Sequence, residues 1–212
     1  MVRVKRALCL IVSIMIFGAL HGAGTVDSDK STIDFPHDQS YVNTNQPTII
    51  GTLRDSAGVP VINETVQILI DGIVIGTATS DTFGIYRLLV PNALADGEYE
   101  LSIFCVESQS TIESNTFNVD TTFPLVTITY PQEGAHVSGA VITIAGTTEA
   151  LAMVVTFLDG DTFGNICYAD EYGNWSIEYE VTAGNHSITA QTTDIAGNQG
   201  YMCEVINFSV TP

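Results

Sequence analysis

The sequence predicts an all-β protein: two similar β-sandwiches of about seven strands each, in tandem, behind an N-terminal export leader. Three observations carry that expectation. The chain repeats itself at a fixed spacing, its apolar residues alternate with polar ones in runs of strand length, and glycine-containing turn signals separate those runs. No stretch after the leader shows helical spacing of its apolar residues.

The leader comes first. Arg3, Lys5 and Arg6 precede an apolar run from Ala7 to Leu20, and small residues follow at Gly22, Ala23 and Gly24. A basic start, an apolar run shorter than the about 20 residues of a bilayer span, and a small-residue exit make residues 1–24 a secretory signal peptide. No later stretch approaches spanning length, so no membrane insertion is expected after cleavage.

Across 212 residues, 24 Asp and Glu stand against 6 Lys and Arg, a formal net charge of −18. Three of the basic residues leave with the leader. Lys30, Arg54 and Arg87 remain against all 24 carboxylates, a mature charge of about −21. Such a surface repels phosphate backbones, which excludes nucleic acid as a partner, and it favours solubility and cations. Apolar residues at 45% suffice for packed cores.

The repeat is visible without gaps when residues 33–52 are laid over 128–147. Ile33, Pro36, Val42, Thr48, Ile49, Gly51 and Thr52 fall on Ile128, Pro131, Val137, Thr143, Ile144, Gly146 and Thr147. Further on, Asp71-Gly72 falls on Asp159-Gly160, Asp81 to Tyr86 on Asp170 to Trp175, Tyr99 on His186, and Phe117 on Phe208. The expected organisation is a short linker at 25–31, a first module at 32–119, a linker at 120–126 and a second module at 127–212. Trp175, Ile177, Tyr179 and Val181 alternate with Ser176, Glu178 and Glu180, as in a strand buried on one face. Tyr86, Leu88 and Val90 repeat that face in the first copy, and Tyr99, Leu101, Ile103 and Cys105 make another. Asp-Gly, Phe-Gly, Tyr-Gly and Ala-Gly pairs punctuate the strands.

The ordered motifs resemble the bacterial Ig-like domain family. They are Ile-x-Gly-Thr, Asp-Gly, Asp-x-x-Gly-x-aromatic, Gly-x-Tyr/His, Asp-x-Ala-Gly-Asn at Asp194 to Asn198, and Phe-x-Val-Asp-Thr-Thr-x-Pro at the joint. The resemblance spans nearly all of residues 32–212 and implies extracellular Ig-like sandwiches of the kind arrayed on surface adhesins and biofilm proteins. Two departures stand out. The first module has Val106-Glu-Ser-Gln-Ser in place of Asp-x-Ala-Gly-Asn, and the second has Gly164-Asn165 in place of Gly-Thr.

Residue chemistry argues against catalysis. His37 and His136 are expected in exposed loops, and His186 in a structural role at a strand start. No nucleophile elbow or phosphate loop is present. Cys105, Cys167 and Cys203 match no zinc spacing; buried thiols are expected, with a Cys167–Cys203 disulfide as the alternative. No cofactor is required. Calcium is the metal the carboxylates suit, at Asp120 in the joint, where the resemblance implies it, or at the acidic turn of Asp159 and Asp161. The competing reading makes these residues turn formers. Asp27 to Asp38 mimics an EF-hand loop, but Thr32 stands at the turn glycine and Pro36 stiffens the middle, which excludes it. Trp175 and Tyr179 belong to the core, leaving Tyr168 and Tyr172 as the aromatics available to stack on a glycan. The expected function is therefore a non-enzymatic secreted or cell-surface protein, monomeric, acting in adhesion, as a spacer or in binding an extracellular protein. The alternative is a soluble carbohydrate-binding accessory protein using Tyr168 and Tyr172.

Overall fold

Alternating apolar residues and glycine turns produce sixteen strands and, among the described residues, no helix. The computed structural model describes residues 25–161 and 163–212, so the expected leader lies outside the described residues. Packing divides the chain into two compact units, one reaching Asn118 and the other covering Val119–Pro212, with Tyr41–Asn45 grouped with the second.

The first repeat contributes β1 (Thr32–Phe35), β2 (Ser40–Val42), β3 (Thr48–Thr52), β4 (Thr65–Ile70), β5 (Ile73–Thr79), β6 (Ile85–Leu89), β7 (Gly97–Cys105) and β8 (Ser110–Val119). They form a three-stranded sheet, β1-β3-β6, and a five-stranded sheet, β2-β8-β7-β4-β5. The second repeat contributes β9 (Thr127–Tyr130), β10 (Ala135–Ser138), β11 (Val141–Thr147), β12 (Met153–Leu158), β13 (Asn165–Tyr168), β14 (Asn174–Glu180), β15 (Gly184–Thr193) and β16 (Ile206–Thr211). Its sheets, β14-β11-β9 and β10-β16-β15-β12-β13, match those of the first strand for strand. Both are Ig- and fibronectin-like sandwiches, the fold class the sequence predicts.

Each repeat has eight strands rather than about seven, because its first strand is broken at a proline. Pro36 and Pro131 follow cis peptide bonds. Before the break, β1 pairs antiparallel with β3, and β9 with β11; after it, the chain crosses to the five-stranded sheet, where β10 runs parallel to β16.

The cores follow from the alternation. Ile49, Ile68, Tyr86, Leu101, Ile103 and Phe117 are fully buried in the first sandwich. In the second, Val126, Ile144, Val154, Trp175, Tyr179, Ile188 and Phe208 form one cluster. The repeated Gly-Thr has a packing cause. Gly146 lies opposite Trp175 in the β11–β14 ladder, and a Cβ there would stand 1.9 Å from the Thr127 carbonyl oxygen and 2.4 Å from Trp175 Cζ2. Gly51 has the same relation to Tyr86 and the Thr32 carbonyl, at 2.0 and 2.3 Å. Each glycine lets an aromatic ring cross its strand where the first strand's backbone closes in.

Candidate functional site

Three loops of the second unit bring carboxylates together. Asp120 opens the unit, Glu149 follows β11, and Asp194 follows β15; each offers an oxygen within 4.8 Å of the others. The Asp-x-Ala-Gly-Asn turn sets this arrangement. Asp194 is buried and accepts the Asn198 backbone N–H at 2.8 Å and its Nδ2–H at 2.9 Å. Asn198 Nδ2 also donates to the Asp120 carbonyl at 2.8 Å, so one side chain ties the joint to the loop. Desolvation, then the charges of Asp194 and Asp120, push the Glu149 carboxyl above its ordinary value. Hard oxygen donors on three separate segments fit a calcium ion better than a soft metal.

Of the sequence-expected metal residues, Asp120 enters this cluster while Asp159 and Asp161 sit elsewhere. Asp159 occupies the turn after β12 with φ 51°, followed by Gly160 at 74°. Its Oδ1 accepts the Ser187 N–H at 2.8 Å, and its Oδ2 meets His186 Nδ1 at 2.7 Å. Asp161 accepts the Phe163 N–H at 3.2 Å. Glu149 and Asp194 are not among the metal candidates the sequence singles out, although the Asp-x-Ala-Gly-Asn motif marks Asp194 as a loop residue.

The first repeat differs at the corresponding positions. The Leu53 N–H donates to the Gly84 carbonyl as the Thr148 N–H does to Gly173, so Arg54 takes the place of Glu149. Glu107 stands where Asp194 does, and its carboxylate is occupied by the Thr65 N–H at 2.6 Å. Beside it, the buried Glu64 accepts the N–H groups of Glu107 and Ser108, both at 3.0 Å, and the Ser108 hydroxyl at 2.9 Å.

Asp81 and Asp170, by contrast, are turn residues. Asp170 Oδ1 accepts the N–H groups of Tyr172 and Asn174 at 2.9 and 2.8 Å, and Asp81 Oδ1 those of Phe83 and Ile85 at 2.8 and 3.0 Å. These bonds favour the charged carboxylates and hold both below their ordinary range.

His186 closes a corner. Its Nε2 meets the Thr182 carbonyl at 2.8 Å, four residues upstream, as Tyr99 donates to the Ala95 carbonyl at 2.9 Å. This is the tyrosine-corner device of Ig-type sandwiches, with histidine replacing tyrosine in the second copy. A carbonyl at one nitrogen and a carboxylate at the other favour the protonated ring, which can donate to both, and Asp159, followed by the Thr182 carbonyl, raises its pKa. His37 is exposed in a loop, whereas His136 lies in β10, its Nδ1 against Ser209 Oγ.

Tyr168 and Tyr172 are 68% and 79% exposed. Tyr168 borders an open groove of about 530 Å³ with Asp170, Asn174 and Ser176; Tyr172 does not line it. Trp175 and Tyr179 are buried, and Tyr179 shares a 2.7 Å hydrogen bond with Thr156. Among the described residues Cys105, Cys167 and Cys203 are free, and burial pushes the Cys105 thiol up to about 11.

Residues 124–190, within the second module, match the model of the bacterial Ig domain family. No curated protein sequence matches the chain. Among solved structures, the fibronectin(III)-like modules of Clostridium thermocellum CbhA align at 18% identity with a TM-score of 0.55, covering 85% of this chain and 94% of theirs. The Yersinia pseudotuberculosis adhesin InvE aligns at 16% identity and TM-score 0.36, covering 89% of this chain and 61% of its own. A tetra-tandem repeat from the extending region of a large adhesion protein aligns at 18% and 0.35, covering 85% and 48%. The likeness to the CbhA modules is one of fold.

Proposed function

We propose that this chain of bacterial Ig-like modules is a non-enzymatic exported protein that works outside the cell in adhesion, as a spacer or in binding another protein. The observation that carries the reading is duplication. One eight-strand sandwich is built twice, and its recurring motifs serve turns, glycine contacts and corners. The family match over residues 124–190 supports it, as does a mature charge near −21, which suits a soluble, self-repelling surface. His186, held at both nitrogens, has no free lone pair with which to act as a base. Calcium at Asp120, Glu149 and Asp194 would serve as a structural ligand of the second module.

Crosslinking native cells, fractionating them and identifying what travels with the protein tests this. Recovery at the surface with a defined protein partner is the expected result. Recovery free in the medium, with elution by sugar, would replace it with the second reading: a soluble glycan-binding protein using Tyr168 and Tyr172, which their exposure and the groove beside Tyr168 favour.

A further inference from the structure

We propose that the outer face of β10, β16 and β15 in the second module is a binding site for a neutral saccharide, separate from the groove beside Tyr168. An open groove of about 480 Å³ runs there, lined by His136, Asn185, Ser187, Asn207 and Ser209 together with the paired Asp159 and His186.

The placement follows from strand parity. Ile188, Phe208, Val210 and Val137 point into the core, so Asn185 and Ser187, Asn207 and Ser209, and His136 face outward. Register aligns them in rows: Asn185 opposite Ser209 and Ser209 beside His136, then Ser187 opposite Asn207. With strands about 5 Å apart and same-face residues about 7 Å apart, these groups cover roughly the footprint of a pyranose ring and its substituents.

Part of this set is fixed and part is free to bind. Asn207 is pinned through its N–H and Nδ2 to Glu133, at 2.7 and 3.3 Å, and the Ser209 hydroxyl is held by His136 Nδ1. Among the described residues, the Asn185 carboxamide, the Ser187 hydroxyl, Asn207 Oδ1 and His136 Nε2 have no hydrogen-bond partner. Amide, hydroxyl and imidazole groups both donate and accept, as the hydroxyls of a saccharide do.

Comparison of the two repeats isolates this chemistry. The corresponding face of the first module carries Tyr41, Glu98, Glu100, Thr116 and Asn118. In a chain near −21, the second module replaces both glutamates by a carboxamide and a hydroxyl. The ligand is not anionic, because Lys30, Arg54 and Arg87 all belong to the first unit and His186, the cationic candidate in the groove, is already paired with Asp159. Nor is it an apolar segment, because the outward rows are polar.

The test is an NMR titration of residues 25–212 with lactose, cellobiose, maltotriose, mannobiose and chitobiose, followed through backbone amides, Asn side-chain amides and the His136 ring. At least one probe is expected to shift the signals of Asn185, Asn207 and His136. Installing the first module's carboxylates, Asn185→Glu with Ser187→Glu, should weaken that probe at least tenfold while leaving the melting temperature unchanged, and Tyr168→Ala should leave its affinity intact. The proposal is overturned if no probe moves these signals, if the shifts centre on Tyr168 instead, or if the double variant binds as before.

Discussion

At the start of β15 the two modules fix the same corner with different side chains, and the difference is a proton. Tyr99 donates its hydroxyl to the Ala95 carbonyl, whereas His186 reaches Thr182 with one nitrogen and the Asp159 carboxylate with the other. Asp159 is the largest cause of the raised His186 pKa, followed by the Thr182 carbonyl. Because the folded value lies above the ordinary 6.5, the stabilisation is complete below that pH. It disappears as pH rises through the raised folded value. Thermal melts across neutral to mildly alkaline pH should therefore show the second module weakening while the first holds. His186→Tyr, which installs the first module's own solution, should flatten that dependence, and Asp159→Asn should move its onset to lower pH. A His186→Tyr chain that weakens over the same range would assign the effect to other groups.

Among elements, the tightest constraint is the crossing of β9, β11 and β14 at Gly146. A methyl group there meets a backbone carbonyl and an indole at once, and neither is the far end of a flexible side chain. Gly146→Ala is expected to cost about 2–3 kcal/mol, read as a lowered melting temperature of the second module, since overpacking against fixed atoms usually costs that much. Gly160→Ala is the control: it sits at φ 74° with nothing within 4 Å of the added Cβ, so about 1 kcal/mol of left-handed strain is the whole effect. Equal losses in the two variants would remove the crowding argument. This contact also explains what was legible in the sequence. Gly-Thr and the aromatic of Asp-x-x-Gly-x-aromatic were visible as separate repeated motifs, and their period-2 surroundings marked both as strand. That one exists to receive the other depends on register, which no local pattern encodes. The break at Pro36 and Pro131 escaped for the same reason, because apolar alternation continues across a strand that changes sheets.

For the molecule as a whole, the repeats share one topology but differ in charge at one position that matters. Arg54 stands in the first module where Glu149 stands in the second, and Asp120, Glu149 and Asp194 gather in the second alone among the described residues. Asp120 and the Asp194 motif were readable as acidic and loop-forming; their convergence with Glu149 was not, since 29 and 45 positions separate Glu149 from them. Burial and then the charges of Asp194 and Asp120 raise the Glu149 pKa, so the ionised cluster destabilises the metal-free fold, a cost that builds as pH rises above the ordinary 4.5 and is complete above the raised folded value. Two opposite effects should follow at neutral pH. Glu149→Gln should raise the melting temperature in chelator, because it removes a like charge. In the unaltered chain, calcium at a hundredfold excess over its dissociation constant should add about 2.7 kcal/mol to the second module, a shift of about 10 °C or more. Asp120→Ala should abolish that shift, and the first module, with Arg54 already supplying a positive charge, should not respond in either chain. Identical melts in calcium and in chelator would leave the cluster an unrelieved electrostatic cost, whereas a calcium response surviving Asp120→Ala would place the ion elsewhere, with the Asp159–Asp161 turn the next site to mutate.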